Sequence, residues 1–126
     1  MTDEIKKLLE QGNDHFEGAK ILFNKRYPTD VIGLLLHQAI EAYLKGLLTH
    51  WEFDPQEDED IKMLFNSIIQ KDKGFKKFEK LCARVIGYYA FGKLPSDPLS
   101  EKAQEEMKTS LYEIEKLIAK IKEKVV

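Results

Sequence analysis

The sequence predicts an all-α protein, an up-and-down antiparallel bundle of four to five helices. Three observations carry that expectation. Apolar residues recur at helical spacing in every long segment, no stretch alternates at period two, and the breaks are short and marked by proline or glycine. Short connections place consecutive helices as antiparallel neighbours. A chain of 126 residues is expected to form one domain over residues 1–126, large enough to bury its own core.

The first helix is expected over residues 3–25. Thr2 can cap it, Asp3 and Glu4 favour its positive end, and Ile5, Leu8, Leu9, Phe16, Ala19, Leu22 and Phe23 give it an apolar face. Pro28 ends it, because proline disfavours helical geometry at Tyr27 and cannot extend the hydrogen-bond ladder. The second helix begins near Thr29 or Asp30 and runs to about His50. Its first half, VIGLLL, is apolar all round, as in a helix surrounded by protein. Gly33 and Gly46 each cost it about 1 kcal/mol relative to alanine, so close helix approach is the expected reason for them.

An acidic loop around Pro55 leads to a third helix over about 59–71, with Ile61, Met63, Leu64, Phe65, Ile68 and Ile69 as its apolar positions. The KDKG break precedes a fourth helix, about 75–91, carrying Phe75, Phe78, Leu81, Cys82, Val85, Ile86 and Tyr89. GKLPSDPLS is the clearest punctuation in the chain, with Ser100 as a cap. The last helix, about 101–124, has Ala103, Met107, Leu111, Ile114, Ile118 and Ile121 on one face and lysines at its negative end.

The formal charge of −2 removes any whole-molecule attraction to nucleic acid but allows a local basic patch. The single cysteine, Cys82, excludes an internal disulfide framework, fits a reducing compartment and reads as core packing. The charged start has no secretory h-region, and no segment approaches the roughly 18 uncharged apolar residues of a membrane span. A cytoplasmic protein with no membrane partner is therefore expected. Abundant Lys, Glu and Ile with scarce Arg lean towards a heat-adapted source.

Residues 33–48, GLLLHQAIEAYLKGLL, hold the most informative polar set. At about 100° per residue, His37, Glu41 and Lys45 advance by about 40° each step and share one stripe, which Gln38 flanks. Glu41 precedes Lys45 by one turn, the better orientation for a helical ion pair, and as an acceptor for His37 it would raise that imidazole's pKa. The plainer reading is the wet seam of a core helix. His37 and Glu41 could also begin a metal site, but no third ligand has a spacing that places it nearby, so no metal is expected.

LLLHQAIEAYLKGLL resembles the central motif of HEPN domains, an apolar run followed by (H/Q)-Q-A-x-E-x-x-L-K. His37, Gln38, Ala39, Glu41, Leu44 and Lys45 occupy those positions. GAKILFNKRYPTDVIG is similar to that family's first helix and turn. Glu59, Asp60 and Ile61 stand where many members have His-Asp-Leu, and Gly92, Lys93, Leu94 and Pro95 where many have Ala-Arg-Tyr-Pro. The similarity runs over about residues 13–122. It implies a helical bundle that forms a homodimer, is encoded beside a minimal nucleotidyltransferase in a toxin–antitoxin-like pair, and is linked with nucleotide or RNA binding; no cofactor is expected.

Ribonuclease-active members of that family carry an arginine followed, after four to six residues, by a histidine. This sequence lacks the pair. Its histidines are His15, His37 and His50, its arginines Arg26 and Arg84, and no histidine follows Arg84. Tyr89 stands where the histidine would be, and a phenol with a pKa of about 10 is a poor base at neutral pH. No catalytic residue is assigned. No phosphate-cradling glycine loop or nucleophile elbow occurs either.

Charge placement supplies the remaining candidates. Residues 52–60 are acidic without a base, whereas residues 71–80 hold Lys71, Lys73, Lys76, Lys77 and Lys80, and Arg84 extends that side by one turn. The plain reading is two solvated segments, with Arg84 in a salt bridge. The sharper one is a phosphate- or RNA-facing surface made by Lys77, Lys80 and Arg84, with Tyr88 and Tyr89 stacking on bases. The expected function is thus a non-catalytic HEPN-like interaction module. An RNA-cleaving toxin with a degenerate Arg/His site is the first alternative, and a bundle with a small-molecule pocket lined by His37, Gln38, Glu41 and Tyr43 is the second.

Overall fold

Helix α1, Asp3–Asn24, starts where Thr2 accepts a hydrogen bond from the Ile5 amide, and α2, Thr29–His50, starts directly after Pro28. Helix α3, Ile61–Lys71, is capped by Asp60, and α5, Glu101–Lys124, by Ser100. The described residues of this computed structural model are 1–90 and 100–125, the side chains of Tyr89 and Ala90 excepted. No strand occurs among them. The expected similarity at Gly92, Lys93, Leu94 and Pro95 lies outside the described residues, as does the side chain of Tyr89.

The fourth predicted helix divides into a 3-10 helix, Lys73–Phe78, and α4, Glu79–Ala90. Asp72 caps the first by accepting from the Gly74 amide at 2.8 Å. A 3-10 turn eclipses residues at i and i+3, which sends both Phe75 and Phe78 into the core, their ring centroids 6.5 Å apart. An α-turn would have rotated them apart by about 60°.

Helices α1 and α2 each end with a non-glycine residue in the left-handed region, Arg26 at φ 57° and Glu52 at φ 66°. Each closes the same motif. The Tyr27 amide donates to Leu22 O at 3.0 Å and the Phe53 amide to Leu48 O at 2.9 Å, which satisfies carbonyls that the helix end leaves open.

Helix α2 packs against each of the other α-helices, and Ile32, Leu36, Ala39, Ile40, Tyr43, Leu44, Leu47 and Leu48 are buried along it. Contacts fix the directions. Gly46 of α2 meets Leu9 of α1, and Gly18 of α1 meets Leu35 of α2, so these two run antiparallel. Tyr88 of α4 lies against Gly33, while Phe75 packs edge-on to Trp51 at the far end of α2, so α4 is antiparallel to it. Asp60 at the start of α3 is within electrostatic reach of His37, and the turn that follows α3 sets Phe75 against Trp51 beyond the end of α2, so α3 runs in the direction of α2. The bundle is therefore up-and-down except at that junction, where the long acidic loop permits a parallel neighbour.

The expectation that VIGLLL is enclosed holds on one side only. Ile32, Gly33 and Leu36 are buried, but Val31 is 42% and Leu34 40% exposed, one turn apart on the same face. The membrane expectation also needs correction. By length and composition α2 could cross a membrane, with a mean hydropathy of 1.3 over its most apolar window. That window is 61% buried inside the bundle, which identifies it as the core helix.

Close approach within the chain explains Gly12, Gly33 and Gly46, and Gly12 is the tightest case. A Cβ there would stand 2.6 Å from the Tyr43 ring, which is itself buried. At Gly18 an added Cβ would meet only Leu35, at an ordinary 3.8 Å. Gly12→Ala is expected to destabilise the protein by about 1–3 kcal/mol through overpacking. Gly18→Ala should stabilise it by about 0.5–1 kcal/mol through helix propensity. Urea midpoints of the two variants, measured side by side, check the opposite signs.

Candidate functional site

The lysines of the Lys73–Phe78 turn and α4 face those of α5 across a groove of about 620 Å³. Because α4 and α5 run antiparallel, successive turns meet: Arg84 stands opposite Glu113, Lys80 near the level of Lys116, and Lys77 near that of Lys120. Lys77, Lys80, Lys116 and Lys120 form no ion pair among the described residues. Three of these ammonium groups lie over rings instead, Lys116 at 4.4 Å from the Tyr112 centroid, Lys120 at 5.1 Å from that of Phe75 and Lys77 at 5.4 Å from that of Phe78. Against five cations the lining carries only Glu113 and Glu123, so the groove attracts anions although the chain is net negative.

Arg84 is held in place. Its Nη1 donates to Ser110 Oγ at 3.1 Å and to Glu113 Oε2 at 3.3 Å. The Tyr88 hydroxyl shares a 2.8 Å hydrogen bond with the same Ser110 oxygen, and Ser110 is fully buried. This network ties α4 to α5 and fixes the groove wall. Burial pushes the Tyr88 phenol above its ordinary pKa, only partly offset by Ser110 and Arg84.

Of the predicted contact residues, Lys77, Lys80 and Arg84 therefore share one groove. Tyr88 does not face it. The residue is 5% exposed, with its ring 3.4 Å from a Cβ added at Gly33, and has no face to offer a base. The sequence placed Tyr88 beside Arg84 without showing that this turn of α4 is the one buried by α2. Lys116 and Lys120 were missed. They sit one helical turn apart in a Glu- and Lys-rich segment that reads as an ordinary solvated face, and only the antiparallel packing brings them opposite α4.

The seam of α2 divides. Lys45 Nζ donates to Glu41 Oε1 at 3.0 Å, the helical ion pair expected from the spacing. Gln38, Glu41 and Lys45 line a shallow polar groove of about 290 Å³ with Gln11 and His15 of α1. His15, which spacing along the chain could not place, thus shares a surface with Glu41. No cluster of three metal-ligating side chains occurs among the described residues. Tyr43 is not a pocket residue. It is buried against Gly12, its hydroxyl has no hydrogen-bond partner among the described residues, and burial pushes its phenol up to about 12.

His37 Nδ1 lies 3.8 Å from Glu41 Oε2. Contrary to the expected rise, its pKa is lowered, because loss of water around the half-buried ring outweighs the pull of Glu41 and Asp60. Cys82 is buried, and its thiol is pushed up to about 12, which leaves it unreactive at neutral pH.

Among the described residues, five α-helices form an all-α bundle built round one apolar helix, with a cationic groove between the last two. The chain belongs to the HEPN domain family, whose model matches residues 5–124. Comparison with curated proteins and with solved structures gives no match.

The lowered pKa of His37 has a definite sign. The unfolded chain takes up this proton first as pH falls, so its contribution to stability is complete above about pH 6.5 and is lost as pH drops through that value towards the lower folded pKa. Urea midpoints between pH 7.5 and 5.5 should fall more for the native protein than for His37→Gln. Parallel curves would contradict the assignment.

Proposed function

We propose that this protein is a non-catalytic HEPN module that holds single-stranded RNA or a nucleotide by its phosphates in the α4–α5 groove. One observation carries the reading. The arginine of α4 is engaged by Ser110 and Glu113 at the wall of a groove that contains four unpaired lysines and no histidine. Such a site supplies positive charge but no group that titrates near neutrality to relay a proton. His15, His37 and His50 lie on α1 and α2, away from that lining.

A homodimer belongs to the same proposal. It is supported by the family and by Val31 and Leu34, an apolar face that the other helices leave open. A minimal nucleotidyltransferase as protein partner rests on the HEPN resemblance.

Fluorescence anisotropy with a labelled single-stranded RNA tests the groove. Log affinity should fall with log salt at a slope of about −3, as for about four neutralised phosphates on a single strand. Lys80→Glu with Lys116→Glu should weaken binding at least tenfold in a folded protein, and the RNA should stay intact. Cleavage that Arg84→Ala abolishes would establish the toxin alternative instead. Sedimentation of Val31→Asp with Leu34→Asp checks the dimer, which should dissociate to monomer.

A further inference from the structure

We infer that the α4–α5 groove reads a linear chain of phosphates and is indifferent to the bases, if any, that the chain carries. The inference rests on the proposed anion-binding role of that groove and sets its ligand class. Reading a base needs either an exposed aromatic face to stack on or polar groups held in fixed positions at its edges. Among the described residues the groove offers neither.

Its single ring, Phe78, is 8% exposed and has the Lys77 ammonium above it. Tyr88 is buried against α2, with its hydroxyl committed to Ser110. Tyr112, exposed on α5, turns to a different groove shared with Lys20 and Phe23, and one face of its ring is covered by Lys116 at 4.4 Å. The rigid fork that could read a guanine edge, Arg84, already donates to Ser110 and Glu113. What remains available are four lysine ammonium groups, compact charges on flexible stems that follow a phosphate wherever it sits and impose no planar geometry.

Their placement suits a chain and not a single ion. From Lys77 in the Lys73–Phe78 turn to Arg84 in α4 the cationic strip runs for about 10 Å, at about 1.5 Å per residue. Lys116 and Lys120 run alongside on α5. That length exceeds the separation of neighbouring phosphates along one strand, so with the lysines of both helices the groove meets several phosphates of one chain. The shared chemistry is a phosphate chain, whether a nucleic-acid backbone or inorganic polyphosphate.

Competition binding on the full chain tests this. Oligomers of about 15 units, uridine-only, adenosine-only and abasic, with equal numbers of phosphodiesters, should bind with affinities within about threefold of one another. Tyr112→Ala should leave all three unchanged. Inorganic polyphosphate of similar length should displace each of them. Displacement at or below the RNA's own concentration assigns free polyphosphate as the source, and displacement only above it assigns the nucleic-acid backbone. An abasic oligomer bound more than tenfold more weakly than the RNAs, polyphosphate that does not compete, or a loss on Tyr112→Ala overturns the base-blind reading while leaving RNA binding in the groove intact. Failure of every oligomer to bind overturns both.

Discussion

Enclosure of α2 is the constraint from which the rest of the structure follows. This helix is touched by each of the other α-helices, and together they remove its buried apolar residues from water. The partners reach it by giving up side-chain volume on one side or the other. Gly12 admits the Tyr43 ring, Gly33 admits Tyr88, and Gly46 admits Leu9. Since interiors are close-packed, these contacts set helix separation and register together.

The groove inherits its geometry from that packing. Tyr88 inserts towards Gly33, and its hydroxyl then reaches Ser110, which also accepts from Arg84. A core contact on one side of α4 thereby fixes a polar network on the other. Arg84 and Glu113 form a partly exposed ion pair, which by itself adds little stability. Its importance is positional, because the buried Ser110 and Tyr88 hold it at the wall between two rows of lysines. At the opposite end of the groove Lys124 pairs with Asp72 at 3.3 Å and anchors the end of α5 to the turn before Phe75.

Two kinds of feature eluded the sequence. Local backbone solutions were hidden where the residue gave no sign, as with Arg26 and Glu52, which occupy a left-handed cap position where glycine is usual. Competing local effects were hidden where their balance depends on burial. Glu41 does lie beside His37, but loss of hydration outweighs its pull, and no periodicity reveals how much water a ring retains. The division at Phe78 is intermediate: Phe75 and Phe78 at i and i+3 carried the signal for a tighter turn, visible once both are known to be buried.

By itself the sequence determined the helical class, five helix segments to within a few residues, the Glu41–Lys45 pair and the HEPN family motif. These depend on spacing along one helix, caps and proline breaks, all of which are local. Tertiary structure alone decided which turn of each helix faces inward, and so buried Tyr88, exposed Val31 and Leu34, and turned α3 parallel to α2. It also decided that Lys116 and Lys120 stand across from Lys77 and Lys80. A groove between two helices far apart in the chain is a property of their packing, which the pattern within either helix does not contain.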